Sequence, residues 1–136
     1  MATVPYRTSR HSVYLLYVHL VFTTKYRRKV FTARHIEALR ALFTDVCAQF
    51  DAALAEFDGE TDHVHLLVNY PPHVQISALV NSLKGVSSRK LRQQFPDLVR
   101  RYWRGVLWSR SYFAGLCGGA PLDVLKQYIE NQRTPD

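Results

Sequence analysis

Apolar and polar positions change their period several times along the chain, and each change marks an element. Residues 1–11, with Arg7, Arg10 and His11 and little that is apolar, read as a mobile basic arm. From Val13 to Thr24 the chain is rich in Val, Leu, Tyr and Phe with no polar interruption before His19, the composition of a buried central strand. Thr32 can cap a helix whose apolar residues Ile36, Leu39, Phe43, Val46 and Phe50 fall at spacings of three, four, three and four. Ala52 to Glu60 predicts a second strand. Gly59 and its polar neighbours then turn the chain into Asp62-His63-Val64-His65-Leu66-Leu67-Val68, a short strand that ends before Pro71-Pro72, so the two strands form an antiparallel hairpin. Ile76, Leu79, Val80, Leu83, Leu91 and Phe95 predict a second helix, with Gly85 weakening its middle and Lys84, Ser87, Ser88, Arg89 and Arg92 on its polar side.

Residues 96–105, with Tyr102 and Trp103, read as a basic connection. A fourth strand follows at Val106 to Phe113, where Leu107, Ser109, Ser111 and Phe113 alternate with Val106, Trp108, Arg110 and Tyr112. Gly115, Gly118 and Gly119 are expected to break it. Pro121 suits the first position of a short final helix over 121–132, with Leu122, Leu125 and Ile129 as its apolar stripe. The order strand, helix, strand, strand, helix, strand predicts one α+β domain over 1–136. Its expected form is a ferredoxin-like split β-α-β sandwich, in which a four-stranded antiparallel sheet has two helices on one face and a C-terminal helix is added.

Composition narrows the function. No run approaches eighteen uninterrupted apolar residues, so no membrane partner is expected, and the N-terminus has no signal-peptide pattern, which points to the cytoplasm. Cys47 and Cys117 show no metal spacing and read as free thiols. The net charge of +7 matters through its distribution. Lys84, Arg89, Lys90, Arg92, Arg100, Arg101, Arg104 and Arg110 stand against Asp97 alone, and Lys25-Tyr26-Arg27-Arg28-Lys29 forms a second cluster. Two clusters with so few acids favour a phosphate-binding surface over an ordinary solvated face.

Side chains alternate along a strand, so His63 and His65 project together from one face while Val64, Leu66 and Val68 take the other. Two such imidazoles can share a metal ion if a third ligand arrives; otherwise they are solvated or hydrogen-bonded histidines on an open sheet face. On the last helix Tyr128 and Gln132 are neighbours one turn apart. Tyr128 can be a ring at the rim of the core with its hydroxyl in water. Alternatively, His63, His65 and an oxygen of Gln132 hold a metal, and Tyr128 attacks a phosphorus atom beside it. Phosphoryl chemistry suits Mg2+ or Mn2+, the imidazole pair leans toward Mn2+, and zinc stays open on residue types alone.

His63-Val64-His65 within Asp-His-Val-His-Leu-Leu, Lys84-Gly85 with Ser87-Ser88-Arg89, Leu107-Trp108 with Ser111-Tyr112, and Tyr128-Ile129-Glu130-Asn131-Gln132 together resemble the single-tyrosine HUH transposases of the insertion-sequence 200/605 group. The resemblance runs from about Val13 to Gln132. It implies a homodimer that acts on single-stranded DNA with hairpin ends. Tyr128 would be the nucleophile forming a 5′-phosphotyrosine, and His63, His65 and Gln132 the metal ligands. It also implies that the second helix and nearby loops engage the hairpin. By charge, Lys84, Arg89, Lys90 and Arg92 are the DNA-binding candidates, followed by Arg27 and Arg28.

Three other readings compete. A domesticated relative would nick chromosomal repeat hairpins with the same chemistry. A non-catalytic nucleic-acid-binding ferredoxin-like module would read bases through aromatics on its open face, but the basic-Gly-aromatic strand of RNA-recognition modules is absent. A purely structural interaction protein leaves the combination of His, Tyr and Gln unexplained.

Overall fold

The computed structural model describes residues 7–9, 12–14, 16–101 and 105–117. The helix predicted over 121–132, with Tyr128 and Gln132, lies outside them, as does Trp103. In chain order the elements are β1 (Arg7–Ser9), β2 (Ser12–Tyr14), β3 (Tyr17–Thr24), a single 3-10 turn (Lys25–Arg27), α1 (Ala33–Gln49), β4 (Ala53–Gly59), β5 (His63–Asn69), α2 (Ile76–Gln94), α3 (Pro96–Arg101) and β6 (Trp108–Leu116).

The main sheet runs β4-β5-β3-β6, with every neighbouring pair antiparallel. α1 carries the chain from β3 across β5 to β4, and β5 returns between them. This is the split β-α-β arrangement expected from the order of elements. One sheet face carries Val18, Leu20 and Phe22 of β3, Phe57 of β4 and Val64, Leu66 and Val68 of β5. These join Leu39, Phe43 and Val46 of α1 and Leu79, Val80, Leu83 and Leu91 of α2 in one buried core. The predicted helical stripes are thus the buried ones, apart from Ile36, Ile76, Phe50 and Phe95 at their partly covered ends.

Ser87 and Ser88, read from the sequence as part of the polar side of α2, are instead buried, and Ser87 falls within the apolar stripe with Leu83 and Leu91. The Ser87 Oγ accepts the indole N–H of Trp108 at 2.9 Å. Trp108 packs its ring against Phe22, Phe31 and Phe43 at centroid distances of 5.8, 5.5 and 6.4 Å.

Four further local expectations change. Within the stretch read as a mobile arm, Arg7–Ser9 pairs with Ser12–Tyr14 in a short antiparallel ladder. The first long strand accordingly divides before Tyr17. The basic connection contains α3, which Pro96 can start and which Leu98 anchors by being fully buried. The last strand does not break at Gly115 but pairs with β3 as far as Leu116, with Gly115 opposite His19. Ladder bonds to a central strand outweigh the weak strand preference of glycine, and a Cβ at Gly115 would sit only 3.0 Å from the Phe113 ring.

Candidate active site

The sheet face turned away from the core carries His19, Val21 and Thr23 on β3, His63 and His65 on β5, and Phe113 on β6. With Arg27 they line a pocket of about 250 Å³. The alternation of β5 puts both histidines here as the sequence implies. Register does the rest: Thr23 lies opposite His63, and Val21 lies opposite His65 on one side and Phe113 on the other. The two imidazoles stand nearly perpendicular, with centroids 5.1 Å apart.

Each histidine has its Nδ1 engaged. His63 Nδ1 donates to Asp62 Oδ1 at 2.8 Å, and His65 Nδ1 lies 3.1 Å from His19 Nε2. Both Nε2 atoms are buried and have no hydrogen-bond partner among the described residues. An imidazole tied through one nitrogen with the other open is the usual arrangement of a metal-ligating histidine. Burial first, then the neighbouring His19 and His63, pushes His65 down to about 4, so its ring is neutral and its lone pair available at pH 7. His19 is shifted down as well, by burial. The donor set therefore fits a divalent cation, but only in part. Among the described residues no three His, Cys, Asp or Glu side chains are arranged to hold one. A third ligand would have to come from outside the described residues, and Gln132 is the residue the sequence offers.

Asp62 and His19 were not singled out by sequence reasoning. An acid directly before the first histidine was the available signal for Asp62. His19, as the first polar residue of an apolar strand, was a weaker one. Burial raises the Asp62 carboxyl pKa, but hydrogen bonds from His63 and Arg27 outweigh it and the net shift is downward. Arg27 Nε donates to Asp62 Oδ2 at 3.2 Å.

The turn that presents Arg27 has two consecutive residues with left-handed backbone, Tyr26 at φ 65° and Arg27 at φ 54°. Neither is Gly or Asn, and such residues cost roughly 1–2 kcal/mol each. The turn is held at both sides: Thr24 N–H donates to Asp62 O and Lys25 N–H to Leu107 O, each at 2.9 Å. Thr24 Oγ1 donates to Arg28 O at 2.8 Å.

The other basic candidates divide. Lys84 Nζ donates to the carbonyls of Ser109 at 2.6 Å and Arg110 at 3.1 Å, and burial lowers its pKa. It ties α2 to β6. Arg92 Nε donates to Ser88 O at 3.0 Å, and Arg28 Nη1 donates to Arg101 O. Arg89 and Lys90 are exposed on α2. No hydrogen bond or ion pair of either is found among the described residues, whereas Lys84, Arg92 and Arg28 each donate to a backbone carbonyl.

Comparison with known proteins bears on this arrangement. The chain is 32% identical over 126 residues to the ISDra2 transposase TnpA of Deinococcus radiodurans, covering 93% of this chain and 90% of that protein. It is 31% identical over 118 residues to a transposase for insertion sequence element IS200 from Salmonella typhimurium, covering 87% of this chain and 77% of that one. The crystal structure of a proposed transposase from Deinococcus radiodurans R1 superposes with a TM-score of 0.75 at 33% identity, covering 95% of this chain and 99% of that one. A REP-associated tyrosine transposase bound to a REP hairpin shares the fold, with a TM-score of 0.58 at 10% identity over 90% of this chain and 69% of that one.

The class so defined is that of DNA-cleaving transposases. The chain belongs to the IS200-like transposase family, whose model matches residues 12–132, and it is of the insertion-sequence 200/605 type. Among the described residues no helix is long and apolar enough to cross a membrane.

Proposed function

We propose that this transposase cleaves and rejoins single-stranded DNA at insertion-sequence ends through a 5′-phosphotyrosine on Tyr128, as a homodimer that recognises the end hairpins. The observation that carries the reading is the pair of buried Nε2 atoms on His63 and His65, held open at one pocket by hydrogen bonds at their Nδ1 atoms. Gln132 completes the ligand set. When bound there, Mg2+ or Mn2+ supplies Lewis-acid polarisation of the scissile phosphate. The chain's own part is to place the nucleophile and the phosphate. The Tyr128 oxygen forms a bond to phosphorus as the P–O3′ bond breaks, and the departing 3′ oxygen takes up a proton. A 3′ hydroxyl can later attack the phosphotyrosine, so the phosphodiester energy is kept and no ATP is required. Arg89 and Lys90 supply phosphate contacts along α2.

Labelled single-stranded DNA bearing the element's end hairpin, incubated with and without Mn2+ or Mg2+ and run on a denaturing gel, tests this. Wild type should give a metal-dependent covalent band, and Tyr128→Phe none. Binding without covalent product under either metal would refute the reading in favour of a non-catalytic binding module. A domesticated enzyme acting in trans would instead give the band with chromosomal repeat hairpins and not with the element's ends.

A further inference from the structure

We propose that Arg27 is the residue that grips the scissile phosphate, and that Asp62 is the positioning residue that sets Arg27 and His63 at a common pocket. The inference rests on the cleavage reading above and adds to it a substrate-binding group outside the histidine, tyrosine and glutamine set.

Three observations converge on Arg27. First, it lines the pocket that contains both imidazoles, and it is the only cation among the described residues that does so. Second, its guanidinium is anchored from one side only. Nε is engaged by Asp62 Oδ2 at 3.2 Å, and no hydrogen bond to the two Nη groups is found among the described residues. The side chain stays 57% exposed while that of Asp62 is 13% exposed, so the arginine is reachable and its anchor is not. A guanidinium held at Nε presents its Nη edge as a preset fork for two oxygens of one phosphate. Third, the backbone adopts a left-handed conformation at both Tyr26 and Arg27, although neither residue favours it. Ties to Asp62 and Leu107, the residues just before the strands on either side of β3, hold the turn in that form. Strain that neighbouring structure enforces, beside a pocket, is expected where a side chain must be aimed.

Asp62 joins the two halves of the site. Its Oδ1 accepts from His63 Nδ1 at 2.8 Å, and its Oδ2 accepts from Arg27. One carboxylate therefore selects the His63 tautomer whose Nε2 lone pair is open and fixes the direction of the guanidinium. An asparagine in its place turns its N–H2, a donor, toward either His63 Nδ1–H or Arg27 Nε–H, so that contact is lost.

The test is single-turnover cleavage of hairpin DNA by the full chain, using a normal scissile phosphate and a neutral methylphosphonate at the same position. Arg27→Ala should lower the cleavage rate by about 100-fold on the normal substrate. Hairpin affinity and Mn2+ affinity should each stay within about threefold, since other cations hold the DNA and Arg27 is no metal ligand. On the methylphosphonate the gap between wild type and Arg27→Ala should nearly close, because the charge that the arginine meets is gone. A merely structural arginine would leave that gap unchanged. Asp62→Asn should weaken Mn2+ binding by about 10–100-fold and shift the His63 tautomer seen in 15N spectra. Arg27→Lys, which keeps the charge and loses the fork, should recover only part of the rate. Arg27→Ala that cleaves at the wild-type rate, or an undiminished gap on the methylphosphonate, overturns the inference while leaving Tyr128 chemistry in place. Wild type that forms no covalent product overturns the cleavage reading and the inference together.

Discussion

Ser87→Ala removes one oxygen atom from the core and leaves the Trp108 N–H, which sits on a ring 3% exposed, with no acceptor. An orphaned buried donor costs about 1–3 kcal/mol, and the better helix propensity of Ala returns roughly 0.5 kcal/mol, so a net loss of about 0.5–2.5 kcal/mol is expected. At roughly 2.1 cal/mol/K per residue, a chain of 136 residues should then melt about 2–9 °C lower. The hydroxyl's own bond to Lys84 O, at 3.2 Å within the same helix, is too weak to change this figure. The decisive assay is a double-mutant cycle by urea unfolding with Trp108→Phe. Phe has no N–H to strand, so Ser87→Ala in that background should cost about 1 kcal/mol less than in wild type. An equal cost in both backgrounds, or a loss below about 0.5 kcal/mol in wild type, would refute the view that this hydrogen bond is why a serine interrupts an apolar stripe. The perturbation should also reach the site. Leu107, beside Trp108, accepts the Lys25 N–H at the turn that bears Arg27, so hydrogen exchange at Lys25 should accelerate in Ser87→Ala.

Two further outcomes are expected. His35 is buried at the start of α1 and accepts the Thr32 N–H on Nδ1 at 3.0 Å; burial is the first cause of its lowered pKa. A histidine whose folded pKa is depressed contributes stability that is complete above its unfolded pKa, about 6.5, and is lost as pH falls through the folded value. His35→Gln keeps an acceptor for the cap, so the decline in unfolding free energy below pH 6.5 should be shallower in the variant by the His35 share. Lys84 and the exposed pair Arg89 and Lys90 should separate in DNA binding. Arg89→Ala and Lys90→Ala should each reduce the slope of log affinity against log salt by about 1, whereas Lys84→Met should leave the slope unchanged and lower the melting temperature.

Much of this fold was legible because period and element coincide. The alternation through His63-Val64-His65-Leu66 specified both the core face and the site face of β5, and the stripe of α1 needed only its spacing. What was not legible depends on register and on tertiary contact. Pairing of His19 with His65 requires knowing that β3 and β5 are neighbours and how they are offset. Gly115 reads as a breaker until its ladder partner is known, and Leu98 does not announce by its own spacing that it will anchor a short helix. The left-handed turn at Tyr26 and Arg27 contains no Gly or Asn, so its conformation comes from the bonds at its ends, and no local signal could have predicted it. Lys84 shows the limit of charge counting. One cation in a basic cluster is committed to two carbonyls, and composition cannot tell it from its solvent-facing neighbours.

The two faces of β5 also constrain how such a chain can change over generations. Core leucine and valine alternate with paired imidazoles, so a single residue inserted or deleted within the strand would turn the histidines beyond that point inward and the aliphatic residues outward. The histidine pocket and the packed core would be lost in the same event. Substitutions are then the open route for drift in this strand, since a point change at His63 leaves the core face intact whereas a single-residue insertion or deletion here does not.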